Sequence, residues 1–108
     1  MSDDPTAPGA TVAPNEICDI VGKFPGVEGV PTVRPSGGRT VIECRRRSKD
    51  DELDSVEIVL SQVPGSPEGT RYCAEATNHD NGQDKRGFGH NYRSALDHLK
   101  REWHRLDR

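Results

Sequence analysis

Large apolar and aromatic residues are scarce in this chain. Its 108 residues include one Trp, two Tyr, two Phe and one Met, and Leu, Ile, Val and Phe together make up 20 of them. A share below about 20% borders on the disordered range, but full disorder also requires a high net charge. The formal net charge here is only −3. We therefore expect one small domain with a thin core and unstructured ends.

Long apolar runs are also missing. No segment approaches the ~18 apolar residues that a membrane-spanning helix requires. The N-terminus has no positively charged region followed by an apolar core, which a secretory signal would have. These absences predict a cytoplasmic protein that makes no contact with a membrane.

The chain has three cysteines, Cys18, Cys44 and Cys73, and no two of them lie close together in sequence. An odd number of widely spaced cysteines indicates reduced thiols rather than a disulfide framework. Neither these cysteines nor the four histidines have the paired spacing of zinc ligands. We expect no metal and no cofactor.

Charge is segregated along the chain. Residues Arg39 to Lys49 have a net charge of +4, Asp50 to Leu60 have −5, and the segment 85–108 has +4. The pI of about 5.8 counts against a dedicated nucleic-acid-binding protein. A local basic surface remains compatible with it.

The N-terminal segment, residues 1–14, is rich in proline and small polar residues, which predicts a disordered tail. Asn15 is suited to cap a short helix whose apolar residues, Ile17, Ile20, Val21 and Phe24, recur at helical spacing. Pro25 and Gly26 then end it. The following stretch, Val27 to Gly38, contains prolines and glycines and is predicted to be a loop with at most a short extended piece around Val33.

Three strands are predicted next, over Arg39 to Arg47, Ser55 to Val63 and Thr70 to Asn78. Strict alternation along them predicts the residues on the sheet side of the core. These are Ile42, Cys44, Val56, Ile58, Leu60, Tyr72, Ala74 and Ala76. The opposite face, with Glu43, Arg45, Arg47, Glu57 and Arg71, is expected to be solvated.

A polar loop, His79 to His90, leads to the C-terminal helix, which Asn91 is predicted to cap. Large side chains fall on one face of this helix, at Tyr92, Leu96, Leu99, Trp103 and Leu106. Trp103 lies within that apolar stripe, so core packing is favoured over base stacking. The resulting fold class is α+β, a three-stranded antiparallel sheet with an N-terminal and a C-terminal helix packed on one face. The domain is predicted to span residues 15–108.

This α-β-β-β-α order resembles the double-stranded-RNA-binding domain. The matching string runs from Gly87 to Ala95, GFGHNYRSA, where a glycine-bearing loop opens the final helix. In that family, paired lysines begin the helix and grip phosphates across the groove. Tyr92 and Leu96 stand where basic residues would be expected here, leaving Arg93 and the displaced Lys85 and Arg86.

Gly87 and Gly89 have two interpretations. Glycines let a backbone approach a phosphate closely, but a junction between a loop and a helix also needs glycine for tight packing. The second interpretation is favoured. Without a βαβ context the pair does not indicate a nucleotide cofactor.

The functional hypothesis is a small non-enzymatic module that contacts the backbone of RNA or DNA through its basic C-terminal helix. Basic side chains release counterions when they neutralise phosphates. The predicted contact residues are Arg45, Arg46, Arg47, Lys49, Lys85, Arg86, Arg93, Lys100 and Arg101. Alternation places Arg46 on the other sheet face from Arg45 and Arg47, which weakens that cluster.

The alternative is a protein-interaction, inhibitor or regulatory module. It would bind a protein partner through the acidic stretch Asp50 to Glu57 or through the exposed sheet face. An enzyme is not expected, because no nucleophile or acid-base pair stands out. The sequence leaves the oligomeric state open.

Overall fold

The structure is a computed structural model, and it describes residues 14–63 and 72–107. The elements in chain order are α1 (Pro14–Gly22), β1 (Val27–Ser36), β2 (Arg39–Arg47), β3 (Leu53–Gln62), β4 (Tyr72–Asn78), β5 (Asp84–Gly89), α2 (Tyr92–Glu102) and a 3-10 helix, Trp103–Leu106. The predicted tail lies outside the described residues, apart from Pro14, where α1 begins. Within the described part, neither helix is long and apolar enough to cross a membrane.

The sheet has five strands, so the prediction of a three-stranded sheet is wrong. The strands are all antiparallel and follow one another in the order β1-β2-β3-β4-β5. The three predicted strands form its centre as β2, β3 and β4. The two additional strands, β1 and β5, lie at the edges and come from segments that were predicted to be loops.

The prolines of β1 explain why its sequence reads as a loop. Proline cannot donate to a sheet ladder, but an edge strand has a neighbour on one side only and tolerates it. Pro31 and Pro35 both lie in this edge strand. The pairing with β2 also shifts register between Glu28 and Thr32, a bulge that includes Gly29 at a φ of 76°.

The composition of β5 likewise gives no sequence signal for a strand. Its six residues, DKRGFG, are charged or glycine except for one Phe, and they include no β-branched residue of the kind that favours strands. Long-range pairing with β4 compensates, placing Phe88 opposite Cys73 and Gly87 opposite Ala74.

Both helices cover the same face of the sheet. α1 packs against β1, and α2 packs against β4 and β5. The eight residues predicted for the sheet side of the core are all buried, and so are the five that form the apolar stripe of the C-terminal helix. Alternation and helical periodicity therefore predicted the core correctly even though the strand count was wrong.

Inside this core, Trp103 at the start of the 3-10 helix packs against the residues that follow α1. Its indole packs edge-on against Phe24 with ring centroids 4.9 Å apart, and its Nε1–H donates to the carbonyl of Pro25 at 2.7 Å. Only 1% of Trp103 is exposed. The predicted core position of this residue is confirmed.

Gly87 and Gly89 let α2 lie directly on β5. A Cβ atom at Gly87 would fall 2.3 Å from the amide nitrogen of Leu99 and 2.4 Å from the carbonyl oxygen of Ala95. At Gly89 it would fall 2.5 Å from Cβ of Ser94. Both glycines are thus required for tight packing, which was the favoured interpretation.

The second face of the sheet, here called the open face, has no helix packed on it within the described residues. The strand register places cross-strand neighbours of mixed charge on it. Its side chains include Glu28, Arg34, Val41, Glu43, Arg45, Arg47, Ser55, Glu57, Val59, Cys73, Glu75, Arg86 and Phe88. Arg71, also predicted for this face, lies outside the described residues.

Candidate functional site

A groove of about 590 Å³ lies between the edge strand β5 and the outer side of α2. We call it the β5–α2 groove. Its lining residues are Phe88, Gly89, His90, Arg93, Ser94, Asp97, His98 and Arg101. Two of the predicted contact residues, Arg93 and Arg101, are among them.

The start of α2 fixes the geometry of this groove. Asn91 has an extended backbone, and its side-chain oxygen accepts a hydrogen bond from the Ser94 amide at 2.8 Å. This confirms the predicted N-cap, which satisfies one of the free amides of the first helical turn. Residues spaced by four along α2, Arg93, Asp97 and Arg101, share its outer face, while Ser94 and His98 contact β5.

Phe88 forms the strand side of the groove. Its amide donates to Nδ1 of His98 at 3.0 Å, so an amide that β4 does not use is satisfied from α2. The Phe88 side chain remains at the surface, with 38% of the residue exposed.

The groove lining has a formal net charge of +1, from two arginines and one aspartate. Arg93 forms an ion pair with Glu16 of α1, and Arg101 forms one with Asp97 at 2.8 Å. The two arginine side chains are still 63% and 73% exposed. Exposed pairs of this kind are worth only about 0–1 kcal/mol, so either guanidinium is free to exchange its carboxylate for another anion. Asp97 is the single carboxylate in the lining.

The other basic residues of the C-terminal third lie around the groove rather than in it. Lys100 is exposed on the side of α2 that faces α1, where it lines a neighbouring depression with Glu16 and Asp19 that shares Arg93 and Asp97 with the groove. Arg86 lies on the open face, 3.1 Å from Glu75. Lys85 points to the other face of β5 and is partly buried.

Arg46 is inside the protein, with 4% of the residue exposed. Its Nη1 lies 2.6 Å from Oδ1 of Asp107, and its Nη2 donates to the carbonyl of Trp103 at 3.1 Å. The guanidinium also lies 5.7 Å from the centre of the Trp103 ring. Arg46 is thus buried inside the protein, where a nucleic acid bound at the surface would not contact it.

Arg45 and Arg47 lie on the open face, as alternation predicted. Arg47 donates to both carboxylate oxygens of Glu28, at 2.7 and 3.0 Å. These hydrogen bonds lower the pKa of Glu28 and raise that of Arg47. Lys49 is exposed in the turn after β2. The structure therefore does not join the segment 45–49 to the β5–α2 groove.

A second groove, of about 440 Å³, opens on the open face beside the β1 bulge. It contains Arg45 and a contact of 3.0 Å between Nε2 of His79 and a carboxylate oxygen of Glu57. The bulge turns Val30 outward, leaving it 85% exposed. This groove belongs to the surface that the protein-interaction hypothesis requires.

Sequence reasoning missed most of the residues that line the β5–α2 groove. Phe88 and His90 were predicted to lie in a loop, and His98, on the C-terminal helix, was not predicted to contact a ligand. The signal that was available is the spacing of His90, Ser94 and His98, which recur every four residues beside the stripe of Arg93 and Arg101. That signal has no meaning until β5 is recognised as a strand packed against the helix.

In the described residues, no three His, Cys, Asp or Glu side chains are grouped so that they could hold a metal ion. Comparison with known proteins gives no match to any family model, to any curated protein or to any solved structure.

Proposed function

We propose that this chain is a non-enzymatic module that binds the backbone of a nucleic acid in the β5–α2 groove. The observation that carries the proposal is the position of Arg93 and Arg101 along one side of the groove, with His90 and His98 close by and one carboxylate in the lining. Guanidinium groups bind phosphate with charge-assisted hydrogen bonds in fixed geometry.

The proposal uses part of the predicted contact set. Arg93 and Arg101 make the central contacts, and Lys100 and Arg86 add positive charge at the margins. The string GFGHNYRSA, on which the resemblance to the double-stranded-RNA-binding domain is based, covers the end of β5 and the start of α2. The resemblance therefore points to the same contact surface, the β5–α2 groove.

The test is a titration of the protein against labelled duplex RNA, duplex DNA and single strands at about 50 and 200 mM salt. Binding that involves phosphate contacts must weaken as salt rises, since each released counterion gains less entropy when the bulk salt concentration is higher. We expect measurable, salt-sensitive binding to at least one of these probes. An absence of binding at the lower salt concentration would refute the proposal.

A matched pair of charge reversals localises the contact. Arg93→Glu with Arg101→Glu should abolish binding, whereas Arg34→Glu with Arg39→Glu makes the same change in net charge on the distant edge of the sheet. All four arginines are exposed, so circular dichroism and melting should change little in either variant. Equal losses of affinity in the two variants would show that net charge alone, and not the groove, controls binding.

A protein-interaction module is the second candidate, favoured by the outward-turned Val30 and by Leu53, which is 39% exposed. The acidic stretch is a weaker candidate surface because Asp54 within it is buried and accepts a hydrogen bond from Asn78 at 2.8 Å. A partner protein that is retained in stoichiometric amount after nuclease treatment, and lost on Val30→Asp, would favour this function.

A further inference from the structure

Phe88 is the one aromatic residue with a large exposed side chain among the described residues. The other exposed large apolar side chains there are aliphatic, Val30 and Leu53, and both lie away from the β5–α2 groove. The remaining described aromatic residues, Phe24, Tyr72, Tyr92 and Trp103, are at most 6% exposed. Phe88 thus places a single aromatic ring at the surface, on the open face of β5 and at the edge of the sheet that borders the β5–α2 groove.

The position of this ring is fixed by its backbone. Phe88 pairs with Cys73 on one side, and its amide is held by His98 on the other. Its neighbours Gly87 and Gly89 are clamped beneath α2, where no Cβ atom fits. An aromatic ring on such a rigid segment loses little conformational freedom when a ligand stacks on it.

Arginine side chains lie on both faces of the sheet edge that carries the ring. Arg86 precedes Phe88 by two residues on the same face of β5 and is paired with Glu75. Arg93 and Arg101 lie across the groove on α2. An exposed aromatic ring at an edge bordered by basic residues is complementary to a base flanked by phosphates.

We infer that the β5–α2 groove binds single-stranded nucleic acid, with an unpaired base stacked on Phe88 and the flanking phosphates bound by Arg93 and Arg101. This inference rests on the proposed function and specifies its ligand class. The bases of a duplex are already stacked on their neighbours, so an exposed ring contributes nothing to a backbone contact with a duplex. Stacking does not distinguish one base from another, so the module binds with little sequence preference.

Three labelled probes of equal length, about ten nucleotides, test the inference. One is a deoxythymidine strand, one is the same phosphodiester chain made entirely of abasic sites, and one is a blunt duplex. In anisotropy titrations at about 50 mM salt, the wild-type protein should bind the thymidine strand about 5- to 150-fold more tightly than the abasic strand. The duplex should bind no more tightly than the abasic strand.

Two variants assign the difference to the ring. Phe88→Ala should remove the preference, so that the variant binds the thymidine strand no more tightly than the abasic strand. Phe88→Tyr keeps an aromatic face and should retain the preference. Phe88 is on the open face, and melting curves of both variants will show whether the fold is kept.

The outcomes separate this inference from the proposed function. Equal wild-type affinity for the thymidine and abasic strands, or a preference for the duplex, would overturn single-strand stacking while leaving phosphate binding intact. A preference that survives Phe88→Ala would overturn the role of the ring. Absence of binding to all three probes would overturn the inference, and absence of binding to duplex RNA as well would overturn the proposed function.

Discussion

Arg46 and Asp107 form an ion pair, 2.6 Å between Nη1 and Oδ1, that ties the end of the second strand to the segment after the 3-10 helix. The arginine side chain is 4% exposed and the aspartate side chain 15%. Arg46 also holds the Trp103 carbonyl, although its Nε atom has no hydrogen-bond partner. The C-terminal end of the core is therefore closed by a charged contact rather than by apolar packing alone.

Arg46→Ala should destabilise the protein by about 3 kcal/mol, because it removes the partner of Asp107 and the buried hydrogen bond to the Trp103 carbonyl. Arg46→Met should cost less, since it refills the volume and Asp107 retains some access to water. Arg45→Ala, the adjacent change on the open face, should stay within about 0.5 kcal/mol. Urea unfolding measures all three. Equal losses for Arg46→Ala and Arg45→Ala would contradict this account of Arg46.

The same ion pair predicts a stability change in acid. The hydrogen bond from Arg46 is the largest of the effects that lower the pKa of Asp107 in the folded protein. Because the pKa of Asp107 is lower in the folded than in the unfolded protein, the ion pair contributes its full stabilisation above the ordinary aspartate pKa of about 3.9. That stabilisation is lost as the pH falls below this value and through the pKa of the folded protein. Asp107→Asn should flatten the fall in urea midpoint between about pH 5 and pH 2. Parallel curves for the variant and the wild type would exclude this role.

The core could be predicted from the sequence, but the edges of the sheet could not. Alternation at Ile42 and Ile58 and the helical spacing of Leu96 and Leu99 report directly which side chains face inward. Edge strands carry no such signal. Pro35 and Gly87 look like loop residues because local propensity opposes a strand at both positions, and only pairing with β2 or β4 decides the outcome.

The candidate groove could not be predicted either, because one side of it is the edge strand β5. Arg93 and Arg101 could be selected from charge and helical spacing. Arg46 was grouped with Arg45 and Arg47 by proximity in sequence, whereas its burial depends on Asp107, which lies 61 residues away. Phe88 became part of the groove only through the pairing of β5, which the sequence does not indicate.

Cys44 predicts a loss of stability in mild alkali. Burial raises the pKa of its thiol to about 11, above the value of about 8.5 for an exposed thiol. The folded state thus keeps a proton that the unfolded state loses, so this contribution is complete below about pH 8.5 and falls as pH rises towards 11. Cys44→Ala should lower stability at neutral pH but reduce the slope between about pH 8.5 and 10.5. Burial raises the pKa of Cys73 as well, so some slope should remain. An unchanged slope would contradict the assignment to Cys44.

Gly87→Ala should destabilise the protein by about 3 kcal/mol. The new methyl group would meet backbone atoms of Leu99 and Ala95 at 2.3–2.4 Å, and backbone in a packed helix cannot move aside as a flexible side chain does. α2 would have to lift from β5, which also opens the groove. Thermal and urea unfolding measure the loss.

Gly22→Ala is the matched control, because it adds the same methyl group where there is room. The nearest atom, Cδ of Pro31, would lie at 3.9 Å, an ordinary contact, and Gly22 is the last residue of α1. Alanine is the better helix former and restricts the unfolded chain more than glycine, so this change should be neutral or stabilising by up to about 1 kcal/mol. The two substitutions are thus expected to have opposite or clearly unequal effects. If Gly87→Ala were as harmless as Gly22→Ala, the close packing of α2 on β5, and with it the geometry of the groove, would have to be rejected.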